Sequence, residues 1–570
     1  MADLKQTIKV ARGEEPADLV LRGPKLINVL SGEVYDEDIA IFEDLVIGLG
    51  KGYRGRDEIN LKGSYAAPGF IDGHVHIESS MVEIPEFARS VVPLGTTSVV
   101  ADPHEVANVF GYDGIRYMLE SSKYNPLNVF FMLPSCVPST PLETAGSSLR
   151  AFDIFPLLRE KWVLGLAEMM NFPGVLAGDE DTLDKLKISA DKRLDGHAPK
   201  LGGKDLCAYI AAGVSSDHEC TTKEEAMQKL RMGMYVMIRE GTGTKNLRDL
   251  LPLVTRENSR RCFFVTDDRH PNDILTEGHV NHMVRTAVEL GVDVVTAVQM
   301  ATINTADYFG LRKLGAISPG RYADIVIFDN LRTFKMRKVF KNGKLVAEDG
   351  NPTYELPPRP QQRVRGSVNI KWLEGNEFEI KARGTKCRVI GLVKDQILTD
   401  ELIEEPKVEN GNVVSDTSRD ILKVVVVERH NASGNIGKGL VKGFGLKRGA
   451  IGSSVSHDSH NIVVVGVSDD DILKVVKRIH KIGGGIVISD GGEVVGILEL
   501  PIAGLMSRLP LAEVAKKIEE LTKIASSLGA KPKDPLMALS FLALPVIPKL
   551  KLTDKGLVDV EKFDFVDLFV

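Results

Sequence analysis

Cysteine is scarce in this chain of 570 residues, and the five present (Cys136, Cys207, Cys220, Cys262, Cys387) never form a Cys-x-x-Cys pair. Their scatter argues against a disulfide framework or a thiolate zinc knuckle and leaves them as small buried hydrophobes. No apolar run approaches the length needed to cross a bilayer. The opening MADLKQTIKVARGEE carries acids where a secretory signal carries an apolar stretch, so a cytoplasmic protein without membrane contact is expected. Long basic runs are absent and the formal net charge is -6, which speaks against nucleic acid as the main partner. A Gly-x-x-x-x-Gly-Lys phosphate loop is also missing, and Gly483-Gly484-Gly485 precedes a strand instead of opening a helix. What is present, 43% hydrophobic residues and 53 glycines, fits a globular chain of two to four domains with many tight turns.

The most informative stretch is APGFIDGHVHIESS, from Ala67 to Ser80. A Pro-Gly turn leads into a strand on which His74 and His76 share one face, because side chains alternate with period two. Taken alone, the pair is equally a metal half-site or two hydrogen-bonded imidazoles. Further apolar segments follow at 96–102, 128–133, 162–168, 193–197, 213–218, 234–239 and 262–267, alternating with helical patterns such as 223–232 and 279–290. Eight strands alternating with helices predict a (β/α)8 barrel, with an open doubly wound sheet as the alternative.

The apolar runs stop at residues of metal-ligand type: His74 and His76, Asp102 with His104 and Glu105, Glu168, His197, His218 with Glu219, and Asp267-Asp268. Each position alone is more simply a loop residue or helix cap. Together, four imidazoles, a bridging carboxylate and a terminal aspartate suit two divalent ions sharing one hydroxide. Alternation lets only one of Asp267 and Asp268 face inward, and sequence does not choose between them. His279 and His282, one turn apart on a helix, read as packing or surface residues.

Flanking the barrel segment, residues 18–50 and 314–350 share the texture of a small antiparallel sheet, the second with an Asn342-Gly343 hairpin signal. They predict one composite β-sandwich domain, 1–67 with 308–365, interrupted by the barrel at 68–307. The proline-rich linker NPTYELPPRPQQRVRG then leads to a C-terminal α+β domain, 366–570, with strands at 421–427 and 461–467, a hairpin at 486–500 and helices at 469–482 and 511–528. Within it, SHDSH presents His457, Asp458 and His460, a ligand set or a turn with Asx-type bonding.

DGHVHIESS, ADPHEVANVFG, the Glu168 strand, DGHAP, SSDHE and TDDRHP resemble the amidohydrolase superfamily, and within it the bacterial and archaeal adenine deaminases. GSSVSHDSHNIVVVG and LPIAGLMS extend the resemblance into the C-terminal part. Two features depart from many superfamily relatives: Glu168 stands where hydantoinases and dihydroorotases place a carboxylated lysine, and Asp102-x-His104-Glu105 is additional.

The resemblance implies adenine and water as substrates, hypoxanthine and ammonia as products, and two divalent ions, manganese first with iron or zinc as alternatives. It implies His74, His76, Glu168, His197, His218 and Asp267 as ligands, with Asp267 moving the proton from hydroxide to the departing nitrogen. Glu219 is the first candidate to protonate the purine ring and Glu78 the second. His104 and Glu105 are candidates to bind another cation, to orient a ligand or to touch the purine, and Asp102, Asp268, His270, His457 and His460 join them as substrate or second-metal candidates. A symmetric homo-oligomer, a dimer first, is expected. The competing readings are a cyclic-amide hydrolase, an amino-sugar deacetylase, and a decayed barrel acting as a binding protein.

Overall fold

The computed structural model describes residues 3–358, 360, 364, 366–394 and 396–570. Residues 359, 361–363 and 365 of the expected linker lie outside that set.

Eight parallel strands form the central layer: β1 Phe70–Val75, β2 Thr96–Ala101, β3 Asn128–Leu133, β4 Val163–Met169, β5 Arg193–Gly196, β6 Ser216–Asp217, β7 Tyr235–Arg239 and β8 Cys262–Val265. The first five pair in sequence, as do the last three. Two seams close the circle. Ser215 N–H donates to the Leu194 carbonyl (3.0 Å) between β5 and β6, and Asp267 N–H to the His74 carbonyl (3.0 Å) between β8 and β1. The result is the expected (β/α)8 barrel.

Its strands are buried on both faces, which explains their unbroken apolar texture. Inside the barrel, Ile71, Val100, Met132, Met237 and Phe263 fill one cluster. Gly73 sits between the acid and the first ligand of Asp72-Gly73-His74 because a Cβ there would lie 2.5 Å from the Phe263 ring. β6 is shorter than the run at 213–218 suggests. Asp217 turns its carboxylate to the Ala198 and Glu219 N–H groups and the Lys229 ammonium, so polar bonding competes with the ladder.

The two flanking segments meet in one seven-stranded sheet: Tyr65–Pro68 pairs antiparallel with Ile325–Phe328 and parallel with Lys25–Asn28. Asn342 and Gly343, at φ 50° and 75°, make the tight turn between Met336–Lys341 and Lys344–Glu348. A four-stranded sheet built around Ala17–Arg22 completes the small β domain. The C-terminal part is an eight-stranded sheet with Ile421–Val427 and Ile462–Gly466 at its centre, packed by helices Asp469–Ile482 and Leu511–Ser527. No helix among the described residues is long and apolar enough to cross a membrane.

His279 is wholly buried, its Nδ1 2.9 Å from the Thr96 hydroxyl, as a packing role predicts. Burial, with Arg269 nearby, pushes its pKa down to about 3. A folded pKa below the unfolded value of about 6.5 gives stability that is complete above pH 6.5 and is lost as pH falls towards 3. His279→Asn keeps the Nδ1-side contact but does not titrate. In thermal unfolding, the stability gap between wild type and this variant is expected to shrink by about 2 kcal/mol from pH 7 to pH 5. A constant gap would refute the assignment.

Candidate metal centre

At the carboxyl ends of the strands, Glu168 from β4 is the hub. Its Oε1 faces His76 Nε2 (3.3 Å), His104 Nδ1 (3.4 Å) and His74 Nε2 (3.8 Å), while Oε2 faces His197 Nδ1 (2.6 Å) and His218 Nε2 (3.2 Å). One carboxylate thus has each oxygen turned to a different set of imidazoles. Asp267, directly after β8, closes the first set with Oδ1 3.1 Å from His76 Nε2 and 3.4 Å from His74 Nε2.

Strand geometry aims His74 and His76 inward, and backbone bonds fix which nitrogen points where. His76 Nδ1 lies 3.0 Å from the Asp102 carbonyl and so carries its proton there, leaving Nε2 free to coordinate. The donor groupings His76–Asp102–His104–Glu168, His74–His76–Asp267, His74–Glu168–His218 and His197–His218–Glu219 each bring their ligand atoms within 4.8 Å of one another. All are imidazole nitrogens and carboxylate oxygens, a set that fits borderline and hard divalent cations. A fifth grouping, Asp217–Cys220–Glu225, already holds the Lys229 ammonium at 3.0 and 2.9 Å from its two carboxylates.

Burial would raise the carboxyls of Glu168 and Asp267. Opposing it, His218, His104 and His197 hold Glu168, and His74, His76 and Arg239 hold Asp267, well below the usual carboxylate range. Of the adjacent aspartates, Asp267 is the one that faces the cage. Asp268 turns away to accept from the Ser79 hydroxyl at 2.5 Å.

Glu219 has a partner that the sequence did not indicate. It was expected to hold a proton for the purine ring, but its carboxylate is ion-paired with Arg239. Burial works against its charge, yet Arg239, His197 and His218 hold it below the normal range. Arg239 itself was not anticipated. It ends β7, is buried, and bridges Glu219 to Asp267 Oδ2 at 3.2 Å. The signal was present in MYVMIR, whose apolar run also stops at a charged residue, though not at a metal-ligand type.

The other candidates divide. Asp102 and His104 join the cage, with His104 Nδ1 3.1 Å from Asp102 Oδ2. Glu78 accepts from Val106 N–H at 3.2 Å, and burial lifts its carboxyl to about 7. Glu105 meets His457 and His460 of the C-terminal domain. His270 is not drawn into the cage; its Nδ1 is 4.0 Å from Asp534, beside a small cavity that His457 and Phe541 also line.

Comparison with known proteins adds the family. A profile described as the amidohydrolase family matches residues 65–346, and one described as the adenine deaminase C-terminal domain matches 396–564. The chain is 52% identical to an adenine deaminase 2 of Carboxydothermus hydrogenoformans over 99% of both chains. It is 51% identical to an adenine deaminase of Desulfatibacillum aliphaticivorans over 99% of both, and 48% identical to one of Methanothrix thermoacetophila over the full length of both. Among solved structures, a dihydropyrimidinase from Brevibacillus agri is 14% identical with a TM-score of 0.46, covering 59% of this chain and 96% of that one. With identity of this order across its whole length, the chain belongs to the adenine deaminase family of the amidohydrolases.

Proposed function

We propose that this chain hydrolyses the 6-amino group of adenine, releasing hypoxanthine and ammonia in the cytoplasm. The observation that carries the reading is the Glu168 hub, a single carboxylate with imidazoles on both oxygens, in a chain half identical to proteins named adenine deaminase. His74, His76 and Asp267 would hold one divalent ion and His197 and His218 the other, with Glu168 between them and His104 beside the first. Manganese is the first choice for a set of imidazoles and carboxylates without thiolate. What two such ions supply when bound is hydroxide at neutral pH, through a fall in the pKa of water from about 15.7 to about 7.

The chain's own residues move the protons. Asp267 takes the proton of the attacking oxygen and returns it to the departing nitrogen, which would otherwise leave as a strongly basic amide ion. Its charge is kept available by Arg239. Glu78 takes over as the ring-nitrogen donor: with its pKa at about 7 it is about half protonated at neutrality and increasingly so below it.

Ammonia release from adenine, adenosine, guanine and cytosine by manganese-replete protein tests the reading. Turnover is expected with adenine and to be much lower in Glu78→Gln with unchanged metal content. No ammonia from adenine with the metal sites filled would sink it.

A further inference from the structure

Glu105 lies on the barrel, yet both its oxygens are taken by the C-terminal domain some 350 positions later. Oε1 is 2.7 Å from His457 Nδ1, and Oε2 is hydrogen-bonded to His460 Nε2. The same Oε1 is 3.4 Å from His104 Nε2, and the opposite nitrogen of that ring, Nδ1, faces Asp102 Oδ2 at 3.1 Å and Glu168 Oε1 at 3.4 Å, inside the cage. Glu105 therefore stands behind His104 as a carboxylate stands behind a metal-ligating histidine, on the nitrogen that does not coordinate.

Backbone bonds determine what the two C-terminal imidazoles can do. Ser456 N–H donates to His460 Nδ1 at 3.2 Å, so the ring's proton sits on Nε2 and His460 faces Glu105 as a donor, with no free lone pair for a cation. His457 directs Nδ1 at a carboxylate, which only accepts, so that nitrogen donates too. The loop carrying them is itself pinned. The wholly buried Arg429 donates to the His460 and Ala503 carbonyls, and His430 Nε2 donates to the Ser459 carbonyl at 2.7 Å. Phe541 stacks on His457 with ring centres 4.9 Å apart.

We propose that His457 and His460 are positioning residues for the deamination site: by gripping Glu105 they fix His104 against Glu168, so that the C-terminal domain completes a metal cage the barrel cannot hold rigid alone. The proposal rests on the adenine deaminase reading for its activity readout, but not for its metal readout.

Isosteric amides separate this clamp from other roles. Asn places a donor where histidine has Nδ1, and Gln places one where it has Nε2. H457N and H460Q keep the N–H aimed at Glu105 and are expected to stay close to wild type. H457Q and H460N lose it and are expected to fall by about 10–100-fold in kcat or in manganese affinity measured by chelator competition, with KM for adenine little changed. Glu105→Gln, which sets an NH2 against one of the two donors, carries the same expected loss. Metal analysis is expected to find two ions per chain in wild type and in every variant loaded at saturating manganese.

The reverse order of effects, equal losses in all four histidine variants, or a third ion in wild type missing from all four would overturn the clamp. Should wild type fail to release ammonia from adenine, the function is refuted instead, and the ranking of manganese affinities still decides the clamp.

Discussion

Asp267→Asn is expected to lower kcat for adenine by about 10²–10⁴-fold, the usual contribution of a positioned acid or base. Asparagine preserves size, and the Asp267 backbone N–H can still bond to the His74 carbonyl, so the barrel seam survives. What disappears is the charge that two imidazoles and Arg239 converge on. A neutral amide neither binds a divalent ion as firmly nor accepts a proton. Steady-state kinetics with metal analysis at saturating manganese will separate those two losses. Asp268→Asn is the control: its carboxylate serves Ser79 outside the cage, and a loss under tenfold is expected. If Asp268→Asn were the more damaged of the two, the order of the pair would have been misread.

Arg239→Met is expected to destabilise the protein by about 3–5 kcal/mol, because removing one partner leaves uncompensated buried charge. Arg239 is buried between Glu219 and Asp267, and both carboxyls lie below their normal range partly on its account. Without the guanidinium, Glu219 would lose its largest opponent to burial, and Asp267 would keep only its imidazole partners. Chemical denaturation at fixed manganese concentration is the measurement. Arg239→Lys should recover part of the loss by restoring charge without the planar fork that reaches two partners at once. Equal stability of wild type and Arg239→Met would show that the bridge is not structural.

Several parts of the molecule were legible because local chemistry changes abruptly along the chain. Most barrel strands are short apolar runs ended by a polar residue, and in β1, β4 and β8 a residue at or just past the end of the run is one that enters the cage. The small β domain was readable because two distant segments share period-two alternation, and strand pairing of Tyr65–Pro68 with Ile325–Phe328 joins them. Arg239 escaped notice because a search for ligands passes over a cation. The partners of Glu105 could not be derived from spacing, since nothing in a one-dimensional pattern says which loop of a later domain will stand over which strand end. The same holds for Asp267 and Asp268, whose division of labour depends on a backbone at φ 57° at the first of them.

The seven-stranded sheet has a consequence for biosynthesis. One of its inner strands, Tyr65–Pro68, leaves the ribosome early, but its antiparallel neighbour Ile325–Phe328 is made only after the entire barrel. Until then one edge of an apolar strand stands open, and closing it requires a loop of more than two hundred residues, whose entropy cost grows slowly with length but is met before any contact rewards it. During translation that edge of Tyr65–Pro68 must therefore wait for its partner, and the interval is filled by the catalytic module folding between the two halves of its own support.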